Sequence, residues 1–155
     1  MTLRRIIARM LVAASGACAA DAGDPKIDIQ GAWVVTGAGV APSAIYATFR
    51  NDRSVDDALL AIIPDRAESV MLHETVVDGS GRVQMRHLEE IAVPARSTVV
   101  LRPGGLHAMI SRFDETVVRG DSVAVTFRFA RAGAITRNVA VIDHSEVERF
   151  VPGGR

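Results

Sequence analysis

At 155 residues, 48% of them apolar, with 18 basic against 18 acidic side chains, the chain has the size of one domain and enough apolar surface for a core, which excludes a disordered composition. It has no basic block and few aromatic residues to interleave with one, which excludes nucleic acid as a partner. Arg4, Arg5 and Arg9 are the only charges before Asp21, so the remainder leans acidic.

Residues 1–19 read as a signal peptide. Arg4 and Arg5 form the positive start, residues 10–14 are apolar, and Ala17-Cys18-Ala19 fits a small-x-small cleavage site. The expectation is export to the periplasm or another extracytoplasmic space, with cleavage after Ala19. Lipidation of Cys18 is the less favoured alternative, because Ser15-Gly16-Ala17 lacks the larger aliphatic residue a lipobox begins with. No later stretch approaches the roughly 20 apolar residues of a membrane span. Cleavage would remove the one cysteine. The mature chain would then have no disulfide, and any metal would be held without thiolate.

Residues 20–26 read as a flexible mature N-terminus. A first strand is predicted over 26–36, with Ile27, Ile29, Trp33 and Val35 at alternating positions, and a second over 43–51, where Ile45, Ala47 and Phe49 alternate with Ala44, Tyr46 and Thr48. The apolar run 58–63 predicts a strand buried on both faces, ended by Pro64. Strands over 69–77 and 82–88, joined by Asp78-Gly79-Ser80-Gly81, predict a β-hairpin. Short strands follow over 97–101 and, after the turn 102–105, over 106–109. The stretch 122–129 places Val123, Val125, Phe127 and Phe129 on one face, and 135–142 returns as the last strand. Residues 144–155 show no pattern and read as a loose tail. No amphipathic helix stands out. Short strands separated by turn signals predict a β-sandwich or barrel over residues 27–143.

The chemistry concentrates between residues 71 and 109. Three of the four histidines lie there, each two residues from a methionine: Met71-x-His73, Met85-x-His87 and His107-x-Met109. Residues two apart in a strand share a face. Imidazole with thioether suits copper, and Cu(I) above all. A blue-copper electron-transfer centre would need a cysteine.

The spacing is specific. His73 is followed by Met85 after position 74 and ten further residues, and twenty-one residues separate Met85 from His107-x-Met109. This resembles the PCuAC (DUF461) family of periplasmic copper chaperones, whose motif is H(M)X10MX21HXM; Glu74 stands where the motif has an optional Met. The flanks Leu72-His73-Glu74, Met85-Arg86 and Pro103-Gly104-Gly105-Leu106-His107 are similar too, as are Ala32-Trp33 and Tyr46-Ala47-Thr48-Phe49. The resemblance covers roughly residues 27–142. It implies an all-β, cupredoxin-like β-sandwich that binds one Cu(I) through His73, Met85, His107 and Met109. It also implies delivery of copper to an extracytoplasmic target such as the binuclear centre of cytochrome c oxidase subunit II, alongside a Sco-type assembly protein.

Two other readings stand beside this one. A β-sandwich interaction domain would keep the fold without transporting copper. A metal-dependent enzyme would need a general base near the site, for which Glu74 is the only candidate. A solvated face is the plainer reading of Glu74, Glu89 and Glu90. Met71 is expected in the core beneath the site, His87 in solvent, and His144 in the tail without a second metal site.

The odd register is predicted for the hairpin: His73 opposes Met85, paired residue numbers sum to 158, and the loop is odd in length, such as the three residues 78–80, or a bulge at Gly79 or Gly81 has the same effect. Met71 and His87 then form another pair on the same face. An even loop would place His73 and Met85 on opposite faces.

Overall fold

The computed structural model describes residues 26–37 and 42–150. Ten strands follow one another: β1 (Ile27–Thr36), β2 (Ser43–Asn51), β3 (Asp57–Pro64), β4 (Ala67–Val77), β5 (Val83–Leu88), β6 (Ile91–Val93), β7 (Ser97–Leu101), β8 (Leu106–Phe113), β9 (Ser122–Phe129) and β10 (Gly133–Asp143). They hydrogen-bond in the order β5-β4-β8-β2-β1-β10-β9-β3-β6, with β7 also paired to β2. All pairings are antiparallel except β1 with β10. The result is the expected all-β, cupredoxin-like β-sandwich.

The main core follows the period of two that a half-buried strand requires. Ile45, Ala47 and Phe49 of β2 enter it, as do Val123, Val125, Phe127 and Phe129 of β9. The Phe49 ring stands edge-on to Phe127 and Phe129, 5.5 Å from each, an arrangement that aligns ring edge with ring face. Asn51 is fully buried and donates from Nδ2 to the carbonyls of Val55, Val93 and Pro94, which ties β2 to the β6 edge. Asp57 is buried as well. Its carboxylate accepts from the backbone N–H of Ala58, Arg131 and Ala132, each at 2.8 Å, and pairs with Arg53.

Three expectations are corrected. The run 58–63 is not buried on both faces: Leu60 and Ile63 are exposed, while Leu59 and Ile62 are buried. A register shift between Leu59 and Ala61 against β9 changes which residues face inward. Ile27 and Ile29 do not share a face with Trp33 and Val35, because β1 carries a bulge between Gln30 and Ala32. Gly31 lies there at φ +64°, and one extra residue inverts the faces beyond it. Val34 therefore enters the main core, and Trp33 and Val35 face outward.

The third correction concerns the C-terminal stretch. A 3-10 turn at His144–Glu146 leads into α1 (Val147–Phe150). Asp143 accepts from the Ser145 N–H while Glu146 reaches back to the Asp143 N–H, a reciprocal cap. Arg119 grips Glu146 through two nitrogens and holds its carboxyl down at about 2. Val147 and Phe150 close a second, smaller cluster with Trp33, Val35, Ala44, Tyr46 and Ile142. The signal peptide, Cys18 and residues 151–155 lie outside the described residues.

Candidate metal centre

The ladders decide which side chains meet. β4 pairs with β5 on one side and β8 on the other. Leu72, Ala108 and Ile110 point to the main core. The residues between them, including His73, His107 and Met109, therefore occupy the outer face. That face continues along β2, where Ala44 is the ladder partner of Met109, and so into the cluster under α1.

His73 is opposite His107 in β8 and opposite His87 in β5. Three imidazoles thus form one row across three adjacent strands, with ring centroids 5.6 Å apart for His73–His87 and 5.7 Å for His73–His107. Met71 is opposite Met109 in the next row, and Met85 is opposite Thr75 in the row on the other side. Of the four residues the motif picks out, His73 and His107 meet directly. Met109 and Met85 lie on diagonals from His73, one to each side of the histidine row.

The sum of paired numbers in the hairpin is therefore 160, not 158. The loop is odd, as expected, but five residues long (78–82) instead of three. Asp78 builds it: its carboxylate accepts from the Ser80 and Arg82 N–H groups, from Ser80 Oγ, from Arg82 Nε and from Gln84 Nε2. Those donors hold the Asp78 carboxyl far below the usual carboxylate range. Gly81, at φ +82°, makes the left-handed step of the turn. Parity is preserved, so Met85 stays on the face of His73 although it opposes Thr75.

The same register corrects the two bystanders. Met71 is not core: it is 41% exposed, shares the face of His73 and pairs with Met109. His87 is exposed, as expected of a solvated histidine, but it faces His73 rather than Met71. Both belong to the constellation. The sequence carried the signal in the two-residue spacing from a motif member, and only the registers of β4 with β5 and with β8 settle which row each joins.

His73 and His107 are each 8% exposed. The His107 Nδ1 lies 2.9 Å from the Gly105 carbonyl. A carbonyl only accepts, so Nδ1 carries the proton and Nε2 keeps its lone pair, the arrangement typical of a metal-ligating histidine. Gly105 O also accepts from the Thr75 N–H, so one carbonyl in the 102–105 turn orients His107 and ties β8 to β4. His73 Nδ1 is buried with no hydrogen-bond partner. Loss of hydration, then the neighbouring His107 and His87, hold the His73 pKa below its ordinary 6.5 and keep the ring neutral.

Glu74 is on the opposite face, ion-paired with Arg86, its ladder partner. It is not placed to serve as a base beside the histidines. Among the described residues no three His, Cys, Asp or Glu side chains group closely enough to hold a metal by themselves. A centre built on His73 and His107 must draw its remaining donors from the thioethers. The donor set fits a soft monovalent ion better than zinc, which takes imidazole, thiolate or carboxylate.

Fold and site together define a cupredoxin-like β-sandwich with an outward His/Met face. Residues 27–141 match the model of the LpqE-like putative lipoproteins. The chain belongs to this family, within the PCuAC (DUF461) group that its motif resembles. It is 29% identical over 119 residues to the putative lipoprotein Lxx21020 of Leifsonia xyli subsp. xyli, covering 77% of this chain and 71% of that one. Among solved structures it is similar to the copper-bound PCuAC domain of PmoF2, with TM-score 0.64 and 22% identity over 78% of this chain and 96% of that one. It is also similar to the Cu(I) form of DR1885 from Deinococcus radiodurans, with TM-score 0.65 and 24% identity over 81% and 84% of the two chains. At these identities the likeness is one of fold.

Proposed function

We propose that this protein is an exported carrier of Cu(I). It binds one ion through His73, His107, Met109 and Met85 and releases it to an extracytoplasmic copper site. The observation that carries the reading is the buried pair His73 and His107, directly opposed across β4 and β8, with thioethers in the flanking rows. A buried nitrogen without a partner is costly, at about 1–3 kcal/mol, and a bound ion would relieve that cost. The copper bound by the PmoF2 domain and by DR1885 supports the same reading.

Release follows from the donor set. Thioethers and imidazoles hold Cu(I) less firmly than a cluster of thiolates, so the ion passes downhill to a recipient rich in cysteine. Met85 is 59% exposed on the edge strand, where an incoming donor can displace it first. The proposed recipient is an oxidase assembly site, the binuclear copper centre of cytochrome c oxidase or a Sco-type thiol protein serving it. With Glu74 committed to Arg86 on the other face, transport fits better than hydrolytic chemistry. The lipoprotein designation of the relatives supports export and favours Cys18 as an anchor over cleavage after Ala19.

The test is a competition titration of the processed protein against a Cu(I) chelator, beside Met85→Ala and His107→Ala. One tight equivalent that weakens in both variants is expected. Binding indifferent to both substitutions would overturn the proposal.

A further inference from the structure

We propose that a basic cleft between β1 and β10, far along the sandwich from the histidines, docks on the phosphate headgroups of an anionic lipid surface. The inference rests on the Cys18 anchor proposed above and adds how the anchored protein meets its membrane.

The cleft follows from the strand pairing. β1 and β10 are ladder partners only from Trp33–Ala140 to Thr36–Asp143. Before the Gly31 bulge, β1 pairs with β2, and residues 133–139 of β10 pair with β9. Between these two unpaired edges lies a cavity of about 710 Å³. Ile27 and Ile135 supply its apolar surface, and Lys26, Arg53, Arg131 and Arg137 its cations. Asp28 is the one carboxylate in the lining, and it accepts from the Gln30 amide.

Most of this positive charge is not neutralised. Arg53 pairs with the buried Asp57. Among the described residues, Lys26 and Arg131 have no ionic partner, and Arg137 donates only to the Thr136 carbonyl. Arg96, whose N–H bonds the Arg53 carbonyl, adds an exposed cation beside the cleft. The neighbouring carboxylates are committed, Asp52 to Arg50 and Asp56 to the Ala95 N–H. Cations above an apolar surface suit a phosphodiester that carries an alkyl portion.

Three observations point to a lipid as the source of that phosphate. Lys26, at the mouth of the cleft, is where the chain enters the fold. Seven residues (19–25) separate it from Cys18, a span of at most about 30 Å, so an acylated Cys18 keeps the cleft close to the bilayer. Val55, in the loop that carries Arg53, is 43% exposed, and an apolar side chain among cations is the composition of a membrane-surface contact. The chain beyond residue 19 has more acidic than basic side chains. Its net charge therefore opposes an anionic surface, and only a local cluster is drawn to one.

Docking this end also sets the height of the copper face. Ile27 pairs with Asn51 at one end of β2, and Met109 pairs with Ala44 at the other. Those levels are seven residues apart, roughly 23 Å along the strand. The histidine row thus stays clear of the headgroups and open to a recipient.

The processed chain with Cys18→Ser, which carries no lipid, is sedimented with vesicles of equal phosphatidylglycerol and phosphatidylcholine, and with phosphatidylcholine alone. It should bind the anionic vesicles only, and added sodium chloride should release it. Each Lys or Arg near an anionic surface raises binding about fivefold. Arg131→Gln with Arg137→Gln should therefore weaken binding at least about tenfold, with melting temperature and Cu(I) affinity unchanged. Arg86→Gln with Arg112→Gln, an equal change of charge on β5 and β8, should bind like the parent. No binding to the anionic vesicles, or equal losses in the two double variants, refutes the proposal. It is refuted too if inorganic phosphate or soluble polyglutamate binds the cleft while vesicles do not, which would give the site to a free anion or an acidic protein. Mass spectrometry of the exported protein reads the anchor separately. If Cys18 is not acylated while vesicle binding still depends on Arg131 and Arg137, the anchor falls and the docking cleft stands.

Discussion

Gly31→Ala tests the outer face without touching a proposed ligand. Gly31 forms the β1 bulge at φ +64°, and a Cβ built there would lie 2.3 Å from Cη2 of Trp33. An L residue in the left-handed region costs about 1–2 kcal/mol. The indole must also give way. It packs against Phe150 of α1 at 6.2 Å, and a disturbed aromatic pair forfeits about 0.5–1.5 kcal/mol. Together these give a loss of roughly 1.5–3.5 kcal/mol, or a melting point lower by roughly 3–14 °C for a chain of this length. Denaturant titration measures the stability. Trp33 is the one tryptophan in the chain, so its emission should shift to the red as the ring moves towards water. The Cu(I) affinity should hold, because the histidine row belongs to β4, β5 and β8. A variant within about 0.5 kcal/mol of wild type, with unchanged emission, would show that the bulge does not need glycine and that the ring does not seal α1 to the sheet.

Other perturbations probe separate parts of the argument. Asp57→Ala strands Arg53 and the N–H groups of Ala58, Arg131 and Ala132. Breaking a buried pair costs about 3–5 kcal/mol, and thermal unfolding should register it with copper affinity intact in the folded fraction. Removing Gly79 alone makes the 78–82 loop even and turns Met85 and His87 away from His73, so Cu(I) affinity should fall as far as in Met85→Ala. Removing Gly79 with Ser80 restores the parity and most of the affinity. The titration refutes the register argument if the single deletion binds like wild type. The pH dependence follows from His73, whose pKa lies below 6.5 in the folded state. As pH drops past that ordinary value the unfolded chain takes up a proton first. Stability of the ion-free protein should be level above about 6.5, decline below it, and level off again once the folded His73 titrates. His73→Gln should abolish that decline in melting curves recorded across the range.

Much of the site was legible in the chain because its ligand pairs are local. A period of two places Met71 with His73, Met85 with His87, and His107 with Met109 on common faces wherever a strand forms, and the long fixed gaps pointed to the family. The positions of most strands, though not of the short β6 or the far half of β8, and the cores of β2 and β9 were legible for the same reason. What the sequence could not determine was relative placement across strands. A ladder partner depends on loop length, and the Asp78 network makes that loop five residues long instead of three. His73 therefore meets His87, while the separate register of β4 against β8 sets Met71 opposite Met109. The bulge at Gly31 acts in the same way, since one inserted residue inverts a face and sends Trp33 outward to meet α1. Burial of His73 and His107 was equally invisible, because a strand pattern says which face a side chain takes and not what covers it. Local periodicity assigned the candidate donors. Register, which only long-range pairing sets, decided which of them meet.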